Sequence, residues 1–144
     1  MKRFSFITID TILYMKYLLA FMLFTFTNLS AQTDELMIRI AELEIDSSYL
    51  VEYNNILREE SHASLQLEAG VIAIFPMYQK QDPTQIRILE IYANREAYES
   101  HLKTPHFLKY KSSTLKMVKS LKLVEMNSLD PEAMKEIFHK LNQN

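Results

Sequence analysis

A switch of hydrophobic period, strand to helix to two strands, constrains this chain more than any other feature. From Met37 to Ile45 the sequence MIRIAELEI alternates, with Met37, Ala41, Leu43 and Ile45 on one side and Glu42 and Glu44 on the other. That pattern predicts a half-buried strand. Asp46-Ser47-Ser48 then offers helix-capping oxygens, and Tyr49, Leu50, Tyr53, Ile56, Leu57, Ser61 and Leu65 recur at helical spacing. The spacing predicts a long amphipathic helix that stops at Gly70, the only glycine in the chain. Val71 to Gln79, VIAIFPMYQ, is β-branched and aromatic, Lys80 to Thr84 with Asp82-Pro83 reads as a turn, and Gln85 to Ala93, QIRILEIYA, alternates again. These are the two strands of a hairpin, and Pro76, with no N–H for a ladder, marks the first of them as an edge or bulged strand.

The second half repeats the punctuation. Asn94 caps a short helix running to about Leu102, and Thr104 caps another in which Pro105 occupies the first turn, where its missing N–H costs nothing. Leu121 to Met126, LKLVEM, supplies a fourth strand, and Asp130-Pro131 precedes a last helix whose apolar stripe is Ala133, Met134, Ile137, Phe138 and Leu141. The order β-α-β-β-α-α-β-α predicts an α+β fold: a ferredoxin-like split βαβ with a four-stranded antiparallel sheet, a broken second helix and an extra C-terminal helix. Helices cover such a sheet on one face only. The other face needs a cover, and a second copy's sheet is the obvious one, giving a homodimeric α+β barrel.

Ahead of this domain lies a segment of different character. Lys16 precedes Tyr17 to Leu29, YLLAFMLFTFTNL, an apolar run shorter than the roughly 20 residues of a membrane span, and Ser30-Ala31 offers small residues for cleavage before Gln32. Residues 1–31 therefore read as a signal peptide, with an alternative start at Met15, where MKYLLAFMLF is a complete signal opening. The organisation is 1–31 signal, 32–128 ferredoxin-like domain and 129–144 tail helix. Export to the periplasm or the medium is expected, with no membrane attachment after cleavage. Cleavage removes three of the 16 basic and one of the 18 acidic residues, leaving 13 against 17 and a net charge of −4, which opposes nucleic-acid binding. The chain has no cysteine, so thiolate chemistry, disulfides, iron–sulfur clusters and cysteine zinc sites are excluded.

From about Met37 to Met126 the chain resembles the antibiotic biosynthesis monooxygenase domain, the quinol-monooxygenase-like branch of the dimeric α+β barrels. The residues that carry the resemblance are Leu67-Glu68-Ala69-Gly70 at the helix end, Glu90-Ile91-Tyr92 on the third strand, and then Ala97, His101, Thr104, Pro105, His106 and Phe107. The resemblance implies a homodimer with a small, largely apolar pocket in each subunit. It also implies oxygenation of a quinol or anthrone-like aromatic with O2 as co-substrate and no metal or flavin cofactor. Such chemistry needs a base, a dry cavity and donors for a developing oxyanion.

Histidine suits the base, because its ordinary pKa near 6.5 leaves it mostly neutral at pH 7. His101, His106 and Glu90 are the candidate catalytic residues, and His62, Tyr53, Tyr92, Tyr98 and Phe107 are candidates for contact with substrate. Each has a structural alternative. His101 can bond a helix-end carbonyl, His106 can fix the joint between two helices, and the aromatic residues can be core. Alternation places Glu90 on the side of Ile88 and Tyr92, away from Arg87, with Arg39 as an ion-pair partner. No metal site is expected, since His101 and His106 stand five apart across a break and not at the four-residue spacing of a helical zinc site. Three other readings stay open: an isomerase or epimerase of a small carbonyl compound, a non-catalytic ligand-binding dimer, and a haem-degrading monooxygenase. Against the last, the tryptophan of that branch has no counterpart, because the chain has no Trp.

Overall fold

The computed structural model describes residues 35–143. The signal peptide, its cleavage after Ala31 and the alternative start at Met15 lie outside the described residues. Strand β1 (Met37–Ile45) leads through a 3-10 turn (Ser47–Tyr49) into helix α1 (Leu50–Leu67), followed by strands β2 (Val71–Tyr78) and β3 (Gln85–Tyr92). Helices α2 (Arg95–His101) and α3 (Pro105–Thr114), strand β4 (Val118–Met126) and helix α4 (Ala133–Leu141) complete the order. The four strands form one antiparallel sheet in the order β2-β3-β1-β4. This is the ferredoxin-like α+β arrangement that the period switches predict, with Pro76 on the edge strand β2.

The caps form where the side chains allow them. Asp46 accepts from the Ser48 N–H at 2.9 Å, Asn94 from the Ala97 N–H at 2.8 Å, and Thr104 from the Phe107 N–H at 3.4 Å, each satisfying a donor that the first helical turn leaves free. Strand β4 starts at Val118, three residues earlier than the LKLVEM pattern predicts. Its extra length pairs Ile45 with Val118 across a register irregularity at Glu44/Ile45, so the long β1 and not local alternation sets where β4 begins.

Two local expectations change. Leu65 is exposed, and the buried stripe of α1 is Tyr53, Leu57, Glu60, Ser61 and Ser64. The helix thus turns three polar side chains, Glu60, Ser61 and Ser64, to the inside, and a search for apolar residues does not look for Glu60 or Ser64 there. Gly70 is not needed for left-handed backbone, since no described residue has positive φ. It is needed for space: a Cβ at Gly70 would lie 2.5 Å from the Ala97 Cβ. Its carbonyl accepts from the Ala93 N–H at 2.9 Å, locking the end of α1 beside the start of α2.

The core is the layer between sheet and helices, built from Met37, Ala41, Leu43 and Ile45 of β1, Tyr53 and Leu57 of α1, and Ile86, Ile88 and Tyr92 of β3. On α4, Ile137, Phe138 and Leu141 keep their apolar stripe exposed.

Candidate active site

Helix α1 ends at Glu68, whose backbone leaves helical geometry at φ −114° and ψ 102° while its N–H still bonds the Ser64 carbonyl. Its side chain reaches the joint between α2 and α3. That joint is short because Thr104 closes it: the Thr104 N–H and Oγ1 both donate to the His101 carbonyl, at 3.0 and 2.8 Å, and Pro105 opens α3. His101 therefore stands last on one helix and His106 second on the next, and both turn to the same carboxylate. His101 Nδ1 lies 2.9 Å and His106 Nε2 2.6 Å from Glu68 Oε1. Burial pushes the Glu68 carboxyl up, but the hydrogen bonds from the two histidines outweigh it and hold the group below the usual carboxylate range. An ionised carboxylate only accepts, so both rings donate to it, and His101 carries its proton on Nδ1.

In the neutral ring the other nitrogen, His101 Nε2, is an acceptor. It lies 3.7 Å from Glu60 Oε1 on the inner face of α1, and both side chains are buried. Glu60 accepts a hydrogen bond from Ser64 Oγ at 2.7 Å. Burial raises its pKa, against the lowering effects of Ser64, His101 and His106.

His101 and Glu60 meet at a cavity of about 520 Å³ between the sheet and the helices. Arg39, Glu90 and Tyr92 line it from β1 and β3, Glu60 from α1, Tyr98 and His101 from α2, and Phe107 and Tyr110 from α3. Leu121 and Leu123 of β4 line its more exposed side. Arg39 and Glu90 are register partners on neighbouring strands, with Arg39 Nε 4.0 Å from Glu90 Oε2. Glu90 also accepts from the Tyr92 hydroxyl at 3.1 Å. Burial raises the Glu90 pKa, partly offset by Arg39 and the Tyr92 hydroxyl, and burial likewise raises that of Tyr92. The Tyr110 hydroxyl is pushed up to about 12, chiefly by burial.

The fold brings His101, Glu90, Tyr92, Tyr98 and Phe107 together at this cavity and leaves three candidates out of its lining. His62 is exposed, because one residue beyond Ser61 is about 100° around the helix from the buried stripe. Tyr53 is fully buried core, its hydroxyl 2.7 Å from that of Tyr110. His106 touches Glu68 and does not line the cavity. Sequence reasoning left out Glu60, Glu68 and, except as a partner for Glu90, Arg39. Two signals were available: Arg39 shares the parity of Met37 and Ala41, and Glu60 lies seven residues after Tyr53 on the same helix face.

Among the described residues, Glu68, His101 and His106 form a group that could hold a cation, each offering one ligand atom within 4.8 Å of the others. Their present spacings are hydrogen-bond lengths, and a metal would have to replace both N–H donors on Glu68.

The sequence pattern of the antibiotic biosynthesis monooxygenase family matches residues 36–113, more than half of the chain. The chain belongs to this family. A candidate antibiotic biosynthesis monooxygenase from Bacteroides thetaiotaomicron is 44% identical, over 68% of this chain and 93% of that one, with a TM-score of 0.67. A candidate monooxygenase from Lactobacillus acidophilus is 28% identical over 65% of this chain and 44% of that one, with a TM-score of 0.63. A further family member from Nitrosomonas europaea, 19% identical over 67% of this chain and 93% of that one at a TM-score of 0.64, has the same fold. No curated protein matches the chain.

Proposed function

We propose that this family member is an exported, homodimeric monooxygenase that oxidises a small electron-rich aromatic, of the quinol or anthrone type, with O2 and no cofactor. The observation that carries the reading is the Glu68–His101 pair: Glu68 fixes the proton on Nδ1 and leaves Nε2 as a base in the wall of the cavity. A proton taken at Nε2 would leave an imidazolium between Glu68 and Glu60, stabilised by both.

The substrate anion then reduces O2. For an anthrone the balance is that the ring CH2 becomes C=O, one oxygen atom enters the product and the other leaves as water. Apolar walls from Leu43, Ile74, Ile88 and Phe107 favour an arene and exclude water from the anion. Tyr92 and Tyr98 make an edge-on pair at 5.4 Å, and Tyr92 lies 5.5 Å from the His101 ring, so the base is surrounded by aromatic surface.

Export is supported by the apolar run Tyr17 to Leu29 followed by Ser30-Ala31. Dimerisation is supported by apolar side chains such as Phe75 and Met126, which stay exposed on the sheet face opposite the helices.

The test is O2 uptake by purified protein with a panel of hydroquinones and anthrones, run with and without a chelator. Uptake that survives chelation supports the cofactor-free oxygenase. Uptake abolished by chelation would move the chemistry to a metal on Glu68, His101 and His106. Isomerised product without uptake would replace the oxygenase by an isomerase, and tight arene binding without product by a binding protein.

A further inference from the structure

We infer that the ligand of this cavity carries a carboxylate, and that the carboxylate docks on Arg39. The inference rests on the oxygenase reading of the same cavity and adds the ionic group of its aromatic substrate. Arg39 is only 5% exposed, and its Nε is a buried donor with no hydrogen-bond partner. It is the one such side-chain atom among the described residues. A buried donor left unpaired carries the full penalty of its lost hydration, larger for a charged group, so this guanidinium is short of acceptors where it lines the cavity.

The neighbours do not supply that acceptor. Glu90 Oε2 stands 4.0 Å from Nε, beyond hydrogen-bond reach, and already accepts from the Tyr92 hydroxyl. The Tyr98 ring lies 4.1 Å from the Arg39 Cζ and covers one face of the guanidinium, which holds its plane and leaves the edge as the donor. Nε itself is closed to solvent, so the donors a ligand can reach are the two terminal NH2 groups, whose outer edge offers two parallel N–H groups to the two oxygens of a carboxylate.

The charge balance agrees. Burial works against the charged forms of both cavity carboxyls, Glu60 and Glu90. Lys111 and Lys119 also line the cavity, although Lys119 is tied to Glu44 at 3.0 Å. The remaining walls are apolar, among them Leu43, Ile74, Ile88 and Leu121, and they suit the ring that bears the carboxylate.

The experiment compares two isosteres, 2-naphthoate and the neutral 2-naphthamide, by titration calorimetry on the purified protein near neutral pH. Naphthoate is expected to bind about tenfold tighter or more, the gain of a charge-assisted bidentate pair. In Arg39→Met, naphthoate should fall to the affinity of naphthamide while naphthamide binds unchanged. Arg39→Lys, which keeps the charge and loses the paired edge, should retain only part of the preference and serves if the Met variant does not fold. Equal affinities in the wild type, no naphthoate binding up to millimolar concentration, or a full preference surviving in Arg39→Met would each overturn the proposal. Binding is read without turnover, so this outcome is separable from the oxygenase reading. O2 uptake on neutral hydroquinones with no carboxylate preference would sink this inference alone. A carboxylate preference with no O2 uptake on 1,4-dihydroxy-2-naphthoate would sink the oxygenase alone.

Discussion

On the helix-covered face of the sheet, β1 and β3 set Arg39 opposite Glu90, and Tyr98 closes over the guanidinium. On the other face the adjacent register pairs of the same strands are Ile38 with Ile91 and Ile40 with Leu89. The covered face buries the Arg39–Glu90 pair among apolar pairs such as Ala41 with Ile88, while the open face, which also carries Glu42 opposite Arg87, leaves Phe75, 60% exposed, and Met126 to solvent. A soluble monomer built for stability alone would bury the apolar side chains and expose the ion pair. Charge kept under helices is expensive unless it is paired or used, which points to a site. Apolar surface left open points to a second protein surface.

The strongest attack on the covered face is His101→Ala. Loss of a general base lowers kcat by roughly 100-fold or more, with the dimer intact by sedimentation and substrate affinity nearly unchanged. Activity within a few-fold of wild type would reduce His101 to a packed helix end. On the open face, Phe75→Glu puts a charge where a partner sheet would lie. The dimer dissociation constant, followed by sedimentation, should rise by about tenfold or more, because a buried unpaired carboxylate is penalised heavily. A protein that is already monomeric at micromolar concentration would remove the partner from the comparison.

A smaller effect is expected at the joint. His106→Ala removes one of the two hydrogen bonds on Glu68 and should lower unfolding stability by about 1 kcal/mol, read by denaturant titration. Its kcat should suffer much less than that of His101→Ala, since His106 does not line the cavity. Equal losses in the two variants would make the joint and the site one unit.

The smallest effect has the opposite sign. Glu60 faces His101, His106 and Glu68, and its folded-state pKa is raised, first by burial. Its contribution to stability is therefore present below the ordinary glutamate pKa near 4.3 and is lost as pH rises through the higher folded value. Glu60→Gln keeps an acceptor for Ser64 and should raise the melting temperature modestly at pH 7, with the gain fading as pH falls toward 4. A gain that persists at low pH would assign the effect to packing and not to the buried charge.

The sequence by itself determined the order of elements, the caps at Asp46, Asn94 and Thr104, Pro76 as an edge or bulge position and the parity that sets Glu90 on the face of Ile88 and Tyr92. All of these follow from interactions within a few residues or from the two-residue period of a strand. It also singled out His101 and His106, but as two ends of a joint with no common partner. Tertiary structure decided that partner. Glu68 lies 33 and 38 residues before the two histidines. Their meeting depends on where α1 ends beside α2, and that depends on Gly70 leaving room for Ala97. The inward turn of Glu60 and the exposure of Leu65 were hidden for a related reason. Helical spacing defines a stripe, but only the elements packed against it decide which edge of the stripe is inside and whether a carboxylate there finds a serine and a histidine. Local chemistry fixes the elements, and the convergence of groups distant in sequence makes the site, because such contacts form only once the intervening chain has folded.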